Sequence, residues 1–223
     1  MNNVIIKTGN IFNTSAQTIV NTVNCVGVMG KGIALVFKLR YPNMYEQYQK
    51  ICALNLMCIG KLWLYKGEKD KPWVLNFPTK THWKLPSEYS YIEQGLKKFI
   101  ATYKEKGITS IAFPILGASN GGLKKEIVLE IMDRYLSQCD IPIEIYHYDP
   151  TAKDDLYETF KNKWNSIPYE HKKNVIGIKT HNQIEIINQC INQNKINSLI
   201  QLIEYPGIGF KTIEKCFQLV INY

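Results

Sequence analysis

With 223 residues, 45% of them hydrophobic and 21% charged, the chain has the composition of one or two globular domains and falls outside the disordered and fibrous classes. Lysine plus arginine exceed aspartate plus glutamate by 27 to 19, a net charge of +8 that suits an anionic partner such as a phosphate, a nucleic acid or an acidic membrane surface. Six scattered cysteines (Cys25, Cys52, Cys58, Cys139, Cys190, Cys216) form no CxxC pair and no zinc spacing. The start, MNNVIIKTGNIF, lacks the pattern of a secretory leader, and no segment approaches the roughly 18 apolar residues of a membrane span. A cytoplasmic protein with reduced thiols, no bound metal and no membrane association is expected.

From the amino terminus to about residue 150, short β-branched or aromatic runs alternate with segments of helical period, the pattern of α/β layering. Predicted strands are Val4–Lys7, Thr18–Thr22, Leu62–Tyr65, Trp73–Phe77, Ser110–Ile115 and Ile143–Tyr148; predicted helices are Gly32–Tyr41, Asn43–Leu54, Tyr89–Lys106 and Lys124–Gln138. The link between the third and fourth strands is too short for a helical crossover, so a hairpin and a mixed sheet are expected. After Asp149-Pro150 the pattern turns helical. Residues 151–168 read as a helical linker, with a helix from Asp154 to Trp164 and a break at Ser166-Ile167-Pro168. The stretch 169–223 reads as a small all-α region with helices in Gln183–Gln193, Ile196–Glu204 and Thr212–Ile221, too short to bury much core alone.

Three loops at the carboxyl ends of strands are unusual. One runs Val23-Asn24-Cys25-Val26-Gly27-Val28-Met29-Gly30-Lys31-Gly32-Ile33-Ala34 into a helix, and its glycines allow backbone to approach a phosphate. A second, Leu116-Gly117-Ala118-Ser119-Asn120-Gly121-Gly122-Leu123, also precedes a helix. Paired in this way, the two suit a diphosphate; apart, each reads equally as an ordinary turn. The third, Asn76-Phe77-Pro78-Thr79-Lys80-Thr81-His82-Trp83, brings a lysine, a histidine and aromatics to the same rim. Taken singly, Lys80 reads as a solvated side chain and His82 as a structural hydrogen-bonding residue.

Together with Val20-Asn21-Thr22-Val23-Asn24 and Pro114-Ile115-Leu116-Gly117, these segments resemble the macrodomain family, and within it the DarG-type branch of DNA ADP-ribosyl glycohydrolase antitoxins. The resemblance covers about two thirds of the chain, in order. It implies a three-layer α/β/α sandwich over residues 1–150 that binds ADP-ribose, as ligand or product and without a cofactor, and removes it from a base in single-stranded DNA. A cognate ADP-ribosyltransferase toxin is the partner it implies. Asn21 and Asn24 would face the distal ribose. Val28, Met29, Gly30, Lys31, Gly32 and Ile33 would wrap that ribose and the diphosphate. Leu116, Gly117, Ala118, Ser119, Asn120, Gly121 and Gly122 would hold the diphosphate, and Thr79 would line the site. Lys80 matches the family's catalytic lysine, whose amine attacks the anomeric carbon of the distal ribose.

Two departures stand against that pattern. Where many macrodomains carry Gly-Asp-Ile, with the aspartate on the adenine amino group, this chain has Gly9-Asn10-Ile11; Asn10 and Ile11 are still expected at the adenine, with a weaker acceptor. The acidic residue that often follows Gly-Gly-Leu is Lys124 here, leaving Lys80 to work with water or His82. A non-catalytic ADP-ribose-binding module and a hydrolase of ADP-ribosylated glutamate on protein are the alternatives. In the tail, Pro206-Gly207-Ile208-Gly209 between amphipathic stretches resembles a helix-hairpin-helix motif, which implies that Gly207, Gly209 and Lys211 contact a DNA phosphate; a plain packing turn is the other reading.

Overall fold

A computed structural model describes residues 3–67 and 71–221. The first two residues, part of the link between the third and fourth strands, and the last two residues of the tail region lie outside the described residues. The chain divides into two compact units, one ending at Tyr148 and the other beginning at Asp149. Among the described residues, no helix is long and apolar enough to cross a membrane, and no group of three or more His, Cys, Asp or Glu could hold a metal ion.

The first unit is built on a six-stranded sheet of β1 (Val4–Gly9), β2 (Thr18–Asn24), β3 (Trp63–Tyr65), β4 (Trp73–Lys80), β5 (Ile111–Pro114) and β6 (Ile143–Tyr148), in the order β1-β6-β5-β2-β4-β3. Neighbours are parallel except β3 with β4, which pair antiparallel with Trp63 opposite Asn76, so the mixed sheet expected from the short link is what forms. Among the described residues, four helices flank it: α1 (Gly32–Arg40), α2 (Pro42–Ala53), α3 (Tyr89–Thr102) and α4 (Lys125–Leu136).

Side-chain alternation explains the layers. In β2, Ile19 and Val23 join Phe37 of α1 and Met44 and Tyr48 of α2 in one apolar cluster, while Val20 joins Ile92, Leu96 and Phe99 of α3 and Val128 and Met132 of α4 in the other. The same division runs through Val74 against Leu75 and through Ala112 against Phe113. A period of two in strands buried on both faces thus yields the expected α/β/α sandwich.

Some boundaries differ from the sequence reading. β4 continues to Lys80, three residues past Phe77, and carries Pro78 inside it. Proline is tolerated because β3 pairs only with Val74, Leu75 and Asn76, so from Phe77 onward β3 asks no ladder N–H of β4. The third loop therefore begins at Thr81 rather than Asn76. α3 ends at Thr102 instead of Lys106, and the chain turns at Gly107, whose φ of +74° is left-handed.

The second unit holds α5 (Tyr157–Ser166), α6 (Tyr169–Ile176), α7 (His181–Asn192), a 3-10 helix at Leu199–Glu204, and α8 (Phe210–Ile221). Residues 151–168 do more than link: Tyr157, Phe160 and Trp164 are buried, and the Trp164 indole donates to Asn188 Oδ1 of α7 at 2.7 Å. The Lys172 ammonium is buried too, donating to the carbonyls of Trp164 and, at 2.8 Å, Ile167, so α5 and α6 are tied together at the break near Pro168. With α5 included, this unit has a core that the stretch from residue 169 alone would lack. α6 was not anticipated, and the helix expected over Ile196–Glu204 is only the 3-10 turn, because Gln201 Oε1 accepts from the amides of Asn197 and Ser198 and fixes its start.

Candidate functional site

Asn24, the last residue of β2, organises the first loop. Its Oδ1 accepts from the amides of Val26 at 3.0 Å and Val28 at 3.3 Å, and its Nδ2 donates to the Val28 carbonyl. From below, the Tyr48 hydroxyl of α2 donates to the Asn24 carbonyl at 2.6 Å; burial raises the Tyr48 pKa, which keeps that hydroxyl a donor. The loop is thus a preformed arch, with Val28, Gly30, Lys31 and Gly32 on its exposed side and Met29 tucked under it, 1% exposed. α1 starts from this arch without a side-chain cap and with no acidic residue in its first turn, which leaves an electropositive helix end for an anion.

The second glycine loop packs tightly on the segment after β4. Ser87 N donates to Gly121 O at 3.0 Å and Leu123 N to Gly117 O at 3.1 Å. A Cβ on Gly121 would lie 2.2 Å from Gly117 O and 2.3 Å from Ser87 Oγ, so only glycine fits. Ser87 is itself buried, and among the described residues its hydroxyl has no hydrogen-bond partner.

Asn120 is where the two glycine loops meet the end of β4. The Lys80 ammonium, at the last residue of β4, donates to Asn120 O, and a Cβ on Gly32 would fall 2.5 Å from Asn120 Nδ2. Residues far apart in sequence therefore bring two glycine loops and one amine to a single rim. Thr79 is buried just before the amine, and Cys25 N donates to Thr81 O at 3.2 Å, joining the first loop to the third. The Cys25 thiol is pushed up to about 11 by burial, so it stays protonated beside the site.

The other residues expected here fall as follows. Ile33 and Ala118 are half-buried; Ser119, Asn120 and Gly122 are exposed; Leu116, Gly117 and Gly121 are buried beneath the second loop. Asn21 does not reach the surface. It is fully buried in β2 under the arch, donating to Asn76 Oδ1 at 2.9 Å with Met29 Sδ 3.8 Å away. The alternation that sends Ile19 and Val23 inward sends Asn21 with them. Asn24 likewise spends its side chain on the loop itself. Asn10 is buried and caps the short 3-10 helix Ile11–Asn13, its Oδ1 accepting from Phe12 N at 3.1 Å, with Ile11 buried behind it. His82 is half-buried; its Nδ1 accepts from Lys84 N at 3.2 Å and its ring stacks on Trp83. Tyr48 and Ser87 were not foreseen: Tyr48 reads as one more core aromatic of an amphipathic helix, and Ser87 carries no motif.

In the second unit, Gly207 and Gly209 are exposed at the turn before α8, and Lys211 is exposed in the first turn of that helix. The element ahead of that turn is the 3-10 helix rather than an α-helix. A similar turn precedes α7, with Gly177 at a φ of +77° and Gly207 at +94°, each followed by a buried isoleucine, Ile178 and Ile208. Gln183 Nε2 of α7 donates to Gly207 O at 3.0 Å, while Lys215 Cε of α8 lies 3.5 Å from a Cβ built on Gly177, so each helix touches the other's turn.

Comparison with known proteins places this geometry. The family model described as Macro domain matches residues 20–132. A protein of Mycobacterium tuberculosis named DNA ADP-ribosyl glycohydrolase is 44% identical over 141 residues, 62% of this chain and 40% of its own length. Among solved structures, the macrodomain of Mycobacterium tuberculosis DarG matches with a TM-score of 0.62 and 42% identity, over 64% of this chain and 96% of that one. Thermosipho africanus DarTG in complex with ADP-ribose matches with a TM-score of 0.61 and 40% identity, over 65% of this chain and 41% of that one. The chain thus spans about 40% of the length of the curated glycohydrolases it matches.

Proposed function

The chain belongs to the Macro domain family, and on that premise we propose that its first unit binds ADP-ribose and removes it from a base in single-stranded DNA. The observation that carries the reading is the meeting at Asn120 of the Lys80 amine with two glycine loops. Relatives named DNA ADP-ribosyl glycohydrolase, and one solved with ADP-ribose, support the substrate. The diphosphate lies between the arch of Val28 to Ile33 and the loop of Leu116 to Gly122, against the start of α1. Adenine sits toward Asn10 and Ile11.

Chemistry at the distal ribose follows from the amine. Lys80 leaves Asn120 O, gives a proton to solvent, and its lone pair forms a C–N bond to the anomeric carbon as the bond to the base breaks. The departing base takes a proton from Nε2 of His82, the proposed carrier, once the Lys84 amide has released Nδ1 and that nitrogen is protonated, so that the ring gives up its proton as imidazolium. Water then cleaves the lysine adduct, releasing ADP-ribose and restoring the amine. A cognate ADP-ribosyltransferase is the enzyme class that supplies such a substrate. In the second unit, the exposed Gly207, Gly209 and Lys211 hold a DNA phosphate without reading bases; Lys211→Glu weakens DNA binding equally across sequences.

One assay tests the reaction. The intact chain should release free ADP-ribose from a modified oligonucleotide, and Lys80→Ala should abolish release while keeping ADP-ribose affinity. Binding without cleavage, a reading favoured by Lys124 standing where an acid is usual, predicts no release by either protein. Cleavage of modified protein with the oligonucleotide untouched would move the substrate to ADP-ribosylated glutamate.

A further inference from the structure

We propose that His82 and Trp83, with Lys84, form a stacking platform for the unpaired base next to the modified nucleotide. The inference rests on the function proposed above and adds the surface that grips the strand, as distinct from its ADP-ribose. Trp83 is 48% exposed, three residues beyond Lys80, on a turn that the sheet does not need to cover. That turn is nonetheless fixed: Lys84 N donates to His82 Nδ1 at 3.2 Å, Leu85 N to His82 O at 3.1 Å, and Cys25 N to Thr81 O at 3.2 Å. The His82 and Trp83 rings stand 5.6 Å apart at 28°, a stacked pair held in place before any ligand arrives.

Charge completes the platform. Lys84 Nζ lies 5.1 Å from the Trp83 ring centroid, and its flexible, exposed side chain can swing from the ring to a phosphate when a base takes its place. Hydrogen bonds from Ser87 N to Gly121 O and from Lys124 N to Tyr89 Oη bind this segment to the loop that ends at Lys124, where α4 begins with Lys125. The carboxylate on the same segment, Glu88, accepts from Tyr91 and Ser90. Aromatic face plus cations is the chemistry that holds single strands, and a paired base in a duplex has no free face to offer.

The test uses the full chain with two probes. Titration with an unmodified thymidine oligonucleotide of about ten residues should quench tryptophan fluorescence, and the quenching should be lost in Trp83→Ala. On modified oligonucleotide, Trp83→Ala should raise KM on the order of tenfold, by a larger factor than any fall in kcat, Trp83→Phe should recover most of the loss, and neither should alter the unfolding midpoint or the affinity for free ADP-ribose. Equal quenching in wild type and Trp83→Ala, or equal quenching by a duplex of the same length, overturns the platform even if turnover is normal. Quenching without any release of ADP-ribose would instead refute the glycohydrolase reading and leave the platform standing.

Discussion

Gly121→Ala is the sharpest perturbation of the site that its packing allows. The new methyl would sit 2.2 Å from Gly117 O and 2.3 Å from Ser87 Oγ, where real Cβ contacts stay above 3.0 Å, so the second loop must open by roughly 0.8 Å. Ser87 N to Gly121 O and Leu123 N to Gly117 O cannot both survive that movement. Overpacking of this kind costs about 1–3 kcal/mol and a lost hydrogen bond about 1 kcal/mol more. For a unit of this size the sum lowers the unfolding midpoint by roughly 5–15 °C. Because Asn120 moves with the loop, affinity for ADP-ribose should fall about tenfold or more. Near-UV circular dichroism on heating and calorimetry with ADP-ribose measure the two effects. Gly122→Ala is the control: its Cβ meets nothing within 4 Å, and only the φ of +79° is strained, at about 1 kcal/mol. If Gly121→Ala proves no worse than Gly122→Ala in either measurement, the close-packing argument is wrong.

Three further outcomes follow from the same contacts. Asn24→Ala strips the arch of its internal bonds to Val26 and Val28 and should weaken ADP-ribose binding more than stability, read by calorimetry beside thermal unfolding. Gly95→Ala would ordinarily favour a helix by up to about 1 kcal/mol, but its Cβ would strike the Phe77 ring at 2.0 Å, so denaturant unfolding should show net destabilisation. Burial pushes the Glu144 carboxyl up, yet hydrogen bonds from Lys7, Thr14 and Tyr146 outweigh it and hold the carboxyl below its ordinary value. A depressed carboxyl stabilises the fold above the unfolded value and loses that contribution as pH falls through the folded one. Stability of the wild type should therefore decline below about pH 4.5, and Glu144→Gln should flatten that part of the curve.

Much of the first unit was legible because strands buried on both faces and helices of strict period leave plain signatures: Ile143–Tyr148 ends where it was expected, and the short link before Trp73 announced the antiparallel pair. What the sequence hid is three-dimensional. Nothing in the run Thr18 to Asn24 says that Asn21 faces the α1/α2 layer under Met29, or that Asn24 turns back on its own loop, because a strand's parity names two faces without naming which is wet. Pro78 looked like the end of a strand and is not, since the partner that would have needed its N–H stops short. The meeting of Gly32, Lys80 and Asn120 depends on sheet order, which brings β5 and β4 to either side of β2. In the second unit, Trp164 and Lys172 were the clues that residues 151–168 belong to a core, but a tryptophan beside a break reads as a linker until its partner Asn188 is found.

Calorimetric titration of the well-folded intact chain with free ADP-ribose tests the central claim most directly. One equivalent bound, with the affinity reduced by Gly121→Ala, is the predicted result. No detectable uptake would contradict the claim that the arch, the second glycine loop and the β4 lysine form one site for that ligand.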